Sequence, residues 1–433
     1  MRIVKLVKKL GSKAFLKPEP IPALPPEFAE PPSWFNRNDP VARAPSAPTF
    51  LYQSWIPEHT DKLVDLIRAD GQLPFQDIGI LIDPANKRRR IDALLYAERQ
   101  PAVYDRMVMH KLAPYRSSAV ALVVTLDWIP VMRRLVYGAS RLGIPTILVP
   151  HESVFAKEDM YYVHPRMGMN VPLCDLVLAW GDTQERIFAS RGYPPERIVK
   201  VGAPKFDYLA NISTPDAKRA VSVLGLDPSR PVMTFAAQPL DSQYNTEVAR
   251  VAQNKALLHL TSIAKRTNIQ LIIRTPPSRD SILDPEVYEE ASSSSSIVID
   301  NASLYLLTAE ETIAASDILI SINSTMLLEA ALAGKVAVTA KYVEFDQIWD
   351  GLKIPVARTQ FELEEIIAKS IVQPETFVGN YDLGWASRSF GIGEFDGRAA
   401  LRIREVLEQI RSQIFDVQRG YAANRAHLLD RDA

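Results

Sequence analysis

The sequence predicts an α/β protein: two Rossmann-like, doubly wound domains facing a cleft, followed by a C-terminal helix. Three observations predict it. Short apolar runs alternate with longer helix-forming stretches, the rhythm of parallel sheets covered on both faces. That rhythm breaks between Thr214 and Pro231, around turn-prone residues, and then restarts. Finally, 433 residues that are 47% apolar supply enough material for two packed cores. The division that follows is residues 1–48 as a proline-rich extended segment, 49–213 and 214–378 as the two domains, and 379–433 as the C-terminal helix and tail.

Residues 17–48 are dense in proline, which favours an extended, polyproline-like lead-in. Thr60 to Ala69 reads as a helix, Ile78 to Ile82 as a strand, and Asn86 to Arg99 as a helix with Lys87-Arg-Arg-Arg90 on its early turns. Ala119 to Thr125 is a buried strand, Pro130 to Leu142 a helix, Thr146 to Val149 a strand, Leu173 to Leu178 a strand and Thr183 to Ser190 a helix. In the second domain, strands are expected at Val232 to Ala236, Gln270 to Arg274 and Val298 to Asp300. Helices fall at Thr246 to Thr267, Pro285 to Ala291, Ala309 to Ala315 and Phe361 to Ile371, with a last amphipathic helix at Gly397 to Phe415.

The stretch Ser316 to Thr339 organises the rest. Asp317 to Ile320 is a short apolar strand, and Ser321, Asn323, Ser324 and Thr325 form a polar turn. Met326 to Ala333 consists of strong helix formers, Gly334 caps the helix, and Val336 to Val338 begins the next strand. Backbone amides at such a helix start, with the Ser324 and Thr325 hydroxyls, can cradle a phosphate; the same residues also serve as an ordinary N-cap. Glu329 lies one turn further in, able to face a sugar or ribose hydroxyl.

Loops at the carboxyl ends of parallel strands carry ligands, so the polar groups there are the candidates. In the first domain these are Asp127, the pair His151 and Glu152, and Asp182. A histidine titrating near neutrality beside a carboxylate suits general-base work. In the second domain, Gln238 and Asp241 follow one strand, and Arg274 ends the next, where its guanidinium can grip a phosphate in a forked geometry. His59, His110, His259 and His427 are isolated in sequence and are expected to be structural or exposed.

Composition narrows the field. A formal net charge of -1 argues against a protein that binds nucleic acid through a bulk basic surface. Cys174 is the only cysteine, so no intrachain disulfide can form, as suits a reducing cytoplasm. GxxxxGK[ST], GxGxxG after a strand, HExxH and GxSxG are all missing from the sequence, and no spacing suggests a metal site. The basic start, MRIVKLVKKLGSKAFL, is too short and charged for a membrane span. It suits contact with an anionic membrane surface or a frayed helix.

Several segments resemble one family. Trp180-Gly-Asp182, Gly192-Tyr193, Arg197-Ile198, Val201-Gly-Ala-Pro204 and Phe206-Asp207 look like the end of the first domain in GT-B-type bacterial surface-polysaccharide glycosyltransferases. Ser316-Asp317, Ser324-Thr325, Glu329-Ala330 and Gly334 are similar to their donor-binding segment, and Phe395-Asp-Gly397-Arg398 with Arg402-Ile403 to their terminal helix. Capsule sugar transferases, teichoic-acid glycerophosphotransferases and, further off, UDP-GlcNAc 2-epimerases share these features. The resemblance implies an acceptor-binding first domain and a donor-binding second domain. It implies a nucleotide-sugar donor as substrate, with no cofactor and no metal, its phosphates at Ser324 and Thr325. The partner would be a glycan or lipid-linked acceptor, met in the cytoplasm or peripherally at the inner membrane, and not a nucleic acid. Relatives carry His-Pro where this chain has Arg274-Thr-Pro-Pro277, which shifts the phosphate contact to Arg274. They read Gln-His-Gly where it has Pro150-His151-Glu152, so His151 is kept and its neighbours are not. Gln238 and Asp241 are similar in spacing to a Gln…Asp pair of capsule Kdo transferases. A hydrolysing epimerase on the same fold, or a catalytically silent scaffold of polysaccharide assembly, are the alternative readings.

Overall fold

A computed structural model describes residues 32–35, 47–68, 73–152, 158–159, 161–164, 168–212, 214–238, 246–276, 282–301, 304–344 and 348–413. Asp241, the basic N-terminal stretch, most of the proline-rich segment and the end of the last predicted helix lie outside them.

The first domain contributes β1 (Thr49–Tyr52), β2 (Phe75–Asp77), β3 (Ala119–Val124) and β4 (Thr146–Leu148). A small antiparallel hairpin follows, β5 (Val163–His164) with β6 (Gly168–Met169), and then β7 (Leu176–Ala179) and β8 (Ile198–Lys200). Apart from the hairpin these form one parallel six-stranded sheet in the order β2-β1-β3-β4-β7-β8. The second domain has β9 (Val232–Ala236), β10 (Gln270–Arg274), β11 (Ile297–Asp300), β12 (Ile318–Ser321), β13 (Val336–Ala340) and β14 (Val356–Ala357). Its sheet is also parallel, ordered β11-β10-β9-β12-β13-β14. Counted along that domain this is 3-2-1-4-5-6, the doubly wound order that leaves a crevice where the winding reverses. Strands β3, β9, β10 and β13 are buried at every residue, because helices cover both faces.

The strand expected at Ile78 to Ile82 lies earlier. Asp77 accepts hydrogen bonds at Oδ1 from the amides of Ser54 (3.4 Å) and Gly79 (2.9 Å), and Gly79, at φ 60°, turns the chain out of the sheet. Ile78 and Ile80 stay buried without belonging to a strand, and Leu81 bridges to Phe35.

The helix formed by residues 399–413 does not stand apart from the domains. Its Ile403, Val406, Leu407 and Ile410 complete the core made by Phe50, Leu63, Val64 and Ile67 of the first domain. The chain therefore crosses between domains twice, and the motif residues build that double crossing. Asp207 accepts from the amides of Ala399 (2.9 Å) and Ala400 (2.7 Å), capping the returning helix. Arg402 donates through Nε to the Val201 carbonyl (2.7 Å) and through Nη1 to Asp396 (2.7 Å).

Gly181 sits beneath the Leu383–Phe390 helix. A Cβ there would lie 2.7 Å from the carbonyl oxygens of Arg388, Ser389 and Gly391. Backbone on three sides cannot yield as a flexible side chain would. Gly181→Ala is thus expected to destabilise the protein by about 1–3 kcal/mol, the usual cost of overpacking, read as a lower urea midpoint.

Candidate active site

The second domain's winding reverses between β9 and β12, and Gln238 closes that point. Its Oε1 accepts from the Asn323 amide (2.6 Å) and from Ser321 Oγ (3.1 Å), while Ser321 Oγ also reaches the Ala236 carbonyl at 2.7 Å. The loop is thereby braced from behind. Ser324 and Thr325 open the next helix: the amides of Leu327 (3.0 Å) and Glu329 (3.1 Å) donate to their carbonyls, and Met326 N donates to Ser324 Oγ at 3.3 Å.

Thr325 and Glu329 face the segment that links the domains. Lys205, on the Pro204–Asn211 3-10 helix, places Nζ 3.0 Å from Thr325 Oγ1 and 2.6 Å from Glu329 Oε1. Tyr208, a turn later, donates to Glu329 Oε2 at 2.9 Å. Burial and the adjacent carboxylate push the Tyr208 hydroxyl far above its ordinary range, so it remains a donor. The Glu329 side chain is 1% exposed and that of Lys205 39%. The lysine is therefore the exposed group of this pair.

Opposite stand two histidines of the first domain. His151 follows β4; both its amide (3.3 Å) and its Nδ1 (3.0 Å) contact the Thr125 carbonyl. A carbonyl only accepts, so Nδ1 carries a proton, which in the neutral ring leaves the lone pair on Nε2. Nε2 lies 3.7 Å from Glu152 Oε2. The His59 ring, at the start of the Pro57–Arg68 helix after β1, is 5.1 Å from that of His151 between centroids. By surface area His59 is exposed, although protein atoms still crowd its ring. The desolvation there, with His151, Lys205, Lys62 and Arg90 nearby, lowers its pKa from 6.5 to about 3. From the same helix Lys62 pairs with Glu310, the first acidic residue of the capped Ala309–Ala315 helix, tying the two domains together.

Acidification tests the recess. Between pH 6.5 and about 3 the unfolded chain protonates this histidine while the folded protein resists. Stability from a neutral His59 is complete above pH 6.5 and is lost as pH falls through the folded value. His59→Asn is expected to flatten that acid limb in a series of urea midpoints against pH.

Several sequence-based assignments change. Arg274 does not reach the phosphate turn: its Nη1 donates to Asp300 Oδ2 (2.6 Å), the Leu307 carbonyl (2.9 Å) and Thr312 Oγ1 (2.9 Å), and its guanidinium lies 4.0 Å from the Tyr305 ring centroid. Asp127 is fully buried and accepts at Oδ2 from the amides of Leu173 (2.6 Å) and Cys174 (3.0 Å), so it cannot meet a substrate. Burial raises its pKa against those two amides. Gln238 is a brace whose carboxamide oxygen is already committed, and Asn323 is 6% exposed behind the turn. Asp182 is engaged by Lys200 at 2.6 Å. Glu329 stands at the expected place, but its carboxylate is held by Lys205 and Tyr208. His59 is exposed, as expected of it, but it stands beside His151; Lys205 and Tyr208, beside the Pro204 and Phe206-Asp207 motif residues, were not singled out in the sequence.

No family model and no curated protein matches the sequence. Solved structures do match in fold. The wall teichoic acid polymerase TagF aligns over 85% of this chain and 90% of its own, with TM-score 0.54 and 13% identity. The UDP-GlcNAc 2-epimerase of Neisseria meningitidis, solved with UDP-GlcNAc, aligns over 83% and 99% with TM-score 0.55 and 13% identity. MnaA of S. aureus, solved with UDP, aligns over 82% and 94% with TM-score 0.50 and 12% identity. The chain has the two-domain GT-B fold.

Proposed function

We propose that this chain is a glycosyltransferase that moves a sugar from a nucleotide-activated donor to a growing bacterial surface polysaccharide of capsule or lipopolysaccharide type. One observation carries the reading. Lys205 is held against the Ser324-Thr325 turn, and it is near enough to the other domain's His59, which stands beside His151, for its charge to be felt there. A donor's phosphates would lie against the turn, met by its hydroxyls, its amides and Lys205. Electrostatic help to a leaving phosphate is the largest contribution such a site makes, and none of it calls for a metal. His151, through Nε2, would take the acceptor's proton, and the double crossing would let the domains close. The acceptor class rests on the resemblance of the Trp180, Ser324 and Asp396 segments. The neighbours solved with UDP or UDP-GlcNAc support a nucleotide-sugar ligand. No helix among the described residues is long and apolar enough to cross a membrane; the reading places the enzyme at the cytoplasmic face, with peripheral contact.

A thermal-shift panel of UDP, CMP, CDP and GDP tests it, in buffer with and without EDTA. At least one nucleotide is expected to raise the melting temperature equally in both buffers. Ser324→Ala with Thr325→Ala is expected to weaken that nucleotide by about 1–3 kcal/mol, the range for hydrogen bonds to charged groups. No shift with any nucleotide would overturn the proposal in favour of a silent scaffold.

A second reading is a hydrolysing nucleotide-sugar 2-epimerase. It is favoured by the number of titratable groups in the recess, His59, His151, Glu152 and Lys205, since epimerisation needs acids and bases around the sugar. Release of a free 2-epimer from UDP-GlcNAc without acceptor would decide for it.

A further inference from the structure

In the first domain, three helices and the β5–β6 hairpin line an open cavity of about 670 Å³. None of the cleft groups lines it. Its volume lies within the roughly 300–1,000 Å³ of small-molecule sites. Its polar groups come in opposed pairs. Arg134 Nη1 donates to both carboxylate oxygens of Asp105, at 3.0 and 2.9 Å. Glu98 Oε1 stands 3.4 Å from His164 Nε2 across the mouth between helix and hairpin. Arg133 is held by the Val171 carbonyl at 3.0 Å. Among the described residues, the other N–H groups of Arg134 make no hydrogen bond.

Tyr137 supplies the remaining wall. It lies on the same helix, one turn beyond Arg133 and Arg134, and its ring is 47% exposed. The Arg141 guanidinium lies over one face of the ring, 5.6 Å from its centroid, and the rest of the ring, which lines the cavity, is a platform for a flat apolar surface. Among the described lining residues Glu98 and Asp105 match Arg133 and Arg134 in number, so neither sign dominates the lining. A nucleotide's phosphates would meet both carboxylates. The chemistry that matches is neutral and rich in hydroxyls, with an apolar face to lay on Tyr137 and paired oxygens for carboxylate and guanidinium.

We propose that this cavity binds a neutral pyranose oligosaccharide, a glycan-holding site separate from the transfer cleft. The site extends the transferase reading, and its failure can be told apart from that reading's. The test is saturation-transfer NMR on the full chain with maltotriose, cellotriose, chitotriose and mannotriose, each at millimolar concentration. At least one is expected to receive saturation. Tyr137→Ala should weaken it about tenfold, the equivalent of losing an aromatic contact, with the urea midpoint and the nucleotide thermal shift unchanged. Asp105→Asn should weaken it as well, while Ser324→Ala with Thr325→Ala should not. The proposal falls if none of the four sugars binds. It also falls if Tyr137→Ala and Asp105→Asn leave binding intact, or if the Ser324 and Thr325 variant abolishes it, which would put the sugar in the cleft.

Discussion

Replacing Arg274 by alanine is expected to lower the stability of the second domain by about 3–5 kcal/mol, the cost of breaking a buried ion pair, with the ratio of nucleotide to nucleoside affinity unchanged. The guanidinium is 8% exposed and Asp300 1%. Removing the first leaves the second a buried carboxylate, with only the Leu306 amide, 2.9 Å from its Oδ1, and its other backbone donor to offset it. Thr312 and the Leu307 carbonyl lose their partner at the same time. The control is Arg274→Met with Asp300→Leu, which removes both charges and is expected to recover most of the loss, since apolar pairs of similar volume often replace buried ion pairs without cost. The measurement is the urea midpoint of the second domain, with UDP and uridine titrated into the folded variant. A normal midpoint combined with a selective loss for UDP would return Arg274 to the phosphate.

That assignment shows where a linear reading stops. Arg274 does end a strand at the ligand-binding edge, as the run Gln270 to Arg274 suggested. What decides its role is register: β10 pairs with β11 so that Arg274 stands beside Asp300, two residues far apart in sequence. The carboxylate takes the guanidinium before any ligand can. The same distinction runs through the fold. Strands β3, β9, β10, β12 and β13 were legible because each is a continuous apolar run between turn signals. Strand β1, four residues behind a proline-rich stretch, and β8, three residues with an exposed lysine, carry too little pattern to be seen. The helix Pro101–Leu112 escaped because buried residues sit nearly all round it, leaving no clear polar face. Asp127 and Gln238 were correctly located at strand ends, yet their side chains turn back to brace neighbouring loops.

His59 is the converse case. Alone in sequence, it becomes part of the recess only because β1 lies beside β3 and its following helix starts next to the Thr125 turn. Thr60 Oγ1, one residue on, lies 3.2 Å from Thr125 Oγ1. Lys205 reaches the Ser324-Thr325 turn because the linker's short helix folds back toward Thr325. Both are consequences of strand order and linker path, which composition does not encode locally. The Ser324-Thr325 turn was legible for the opposite reason: strand, turn and helix are contiguous, so one stretch of sequence specifies the whole geometry.

Substituting His151 by alanine is expected to lower turnover by about 10²–10⁴-fold, the range for losing a general base, with the nucleotide thermal shift near that of the unaltered protein. The argument begins with the ring's fixed orientation. Two contacts to the Thr125 carbonyl hold backbone and imidazole together, and in the neutral ring they put the lone pair on Nε2, on a side chain 8% exposed. Its first-domain competitors are weaker: Asp127 is buried beneath its two amides and Asp182 is engaged by Lys200. Glu152 remains, 3.7 Å from Nε2, placed to steady the imidazolium that forms when the acceptor's proton is taken. His151→Gln, which restores a hydrogen-bonding side chain but no base, is expected to be as slow as the alanine variant. A merely positional role would predict rescue by glutamine. Product stereochemistry is measured alongside, with inversion expected for base-assisted attack. Full turnover in both variants would pass the role to Glu152, and Glu152→Gln would then show the loss instead.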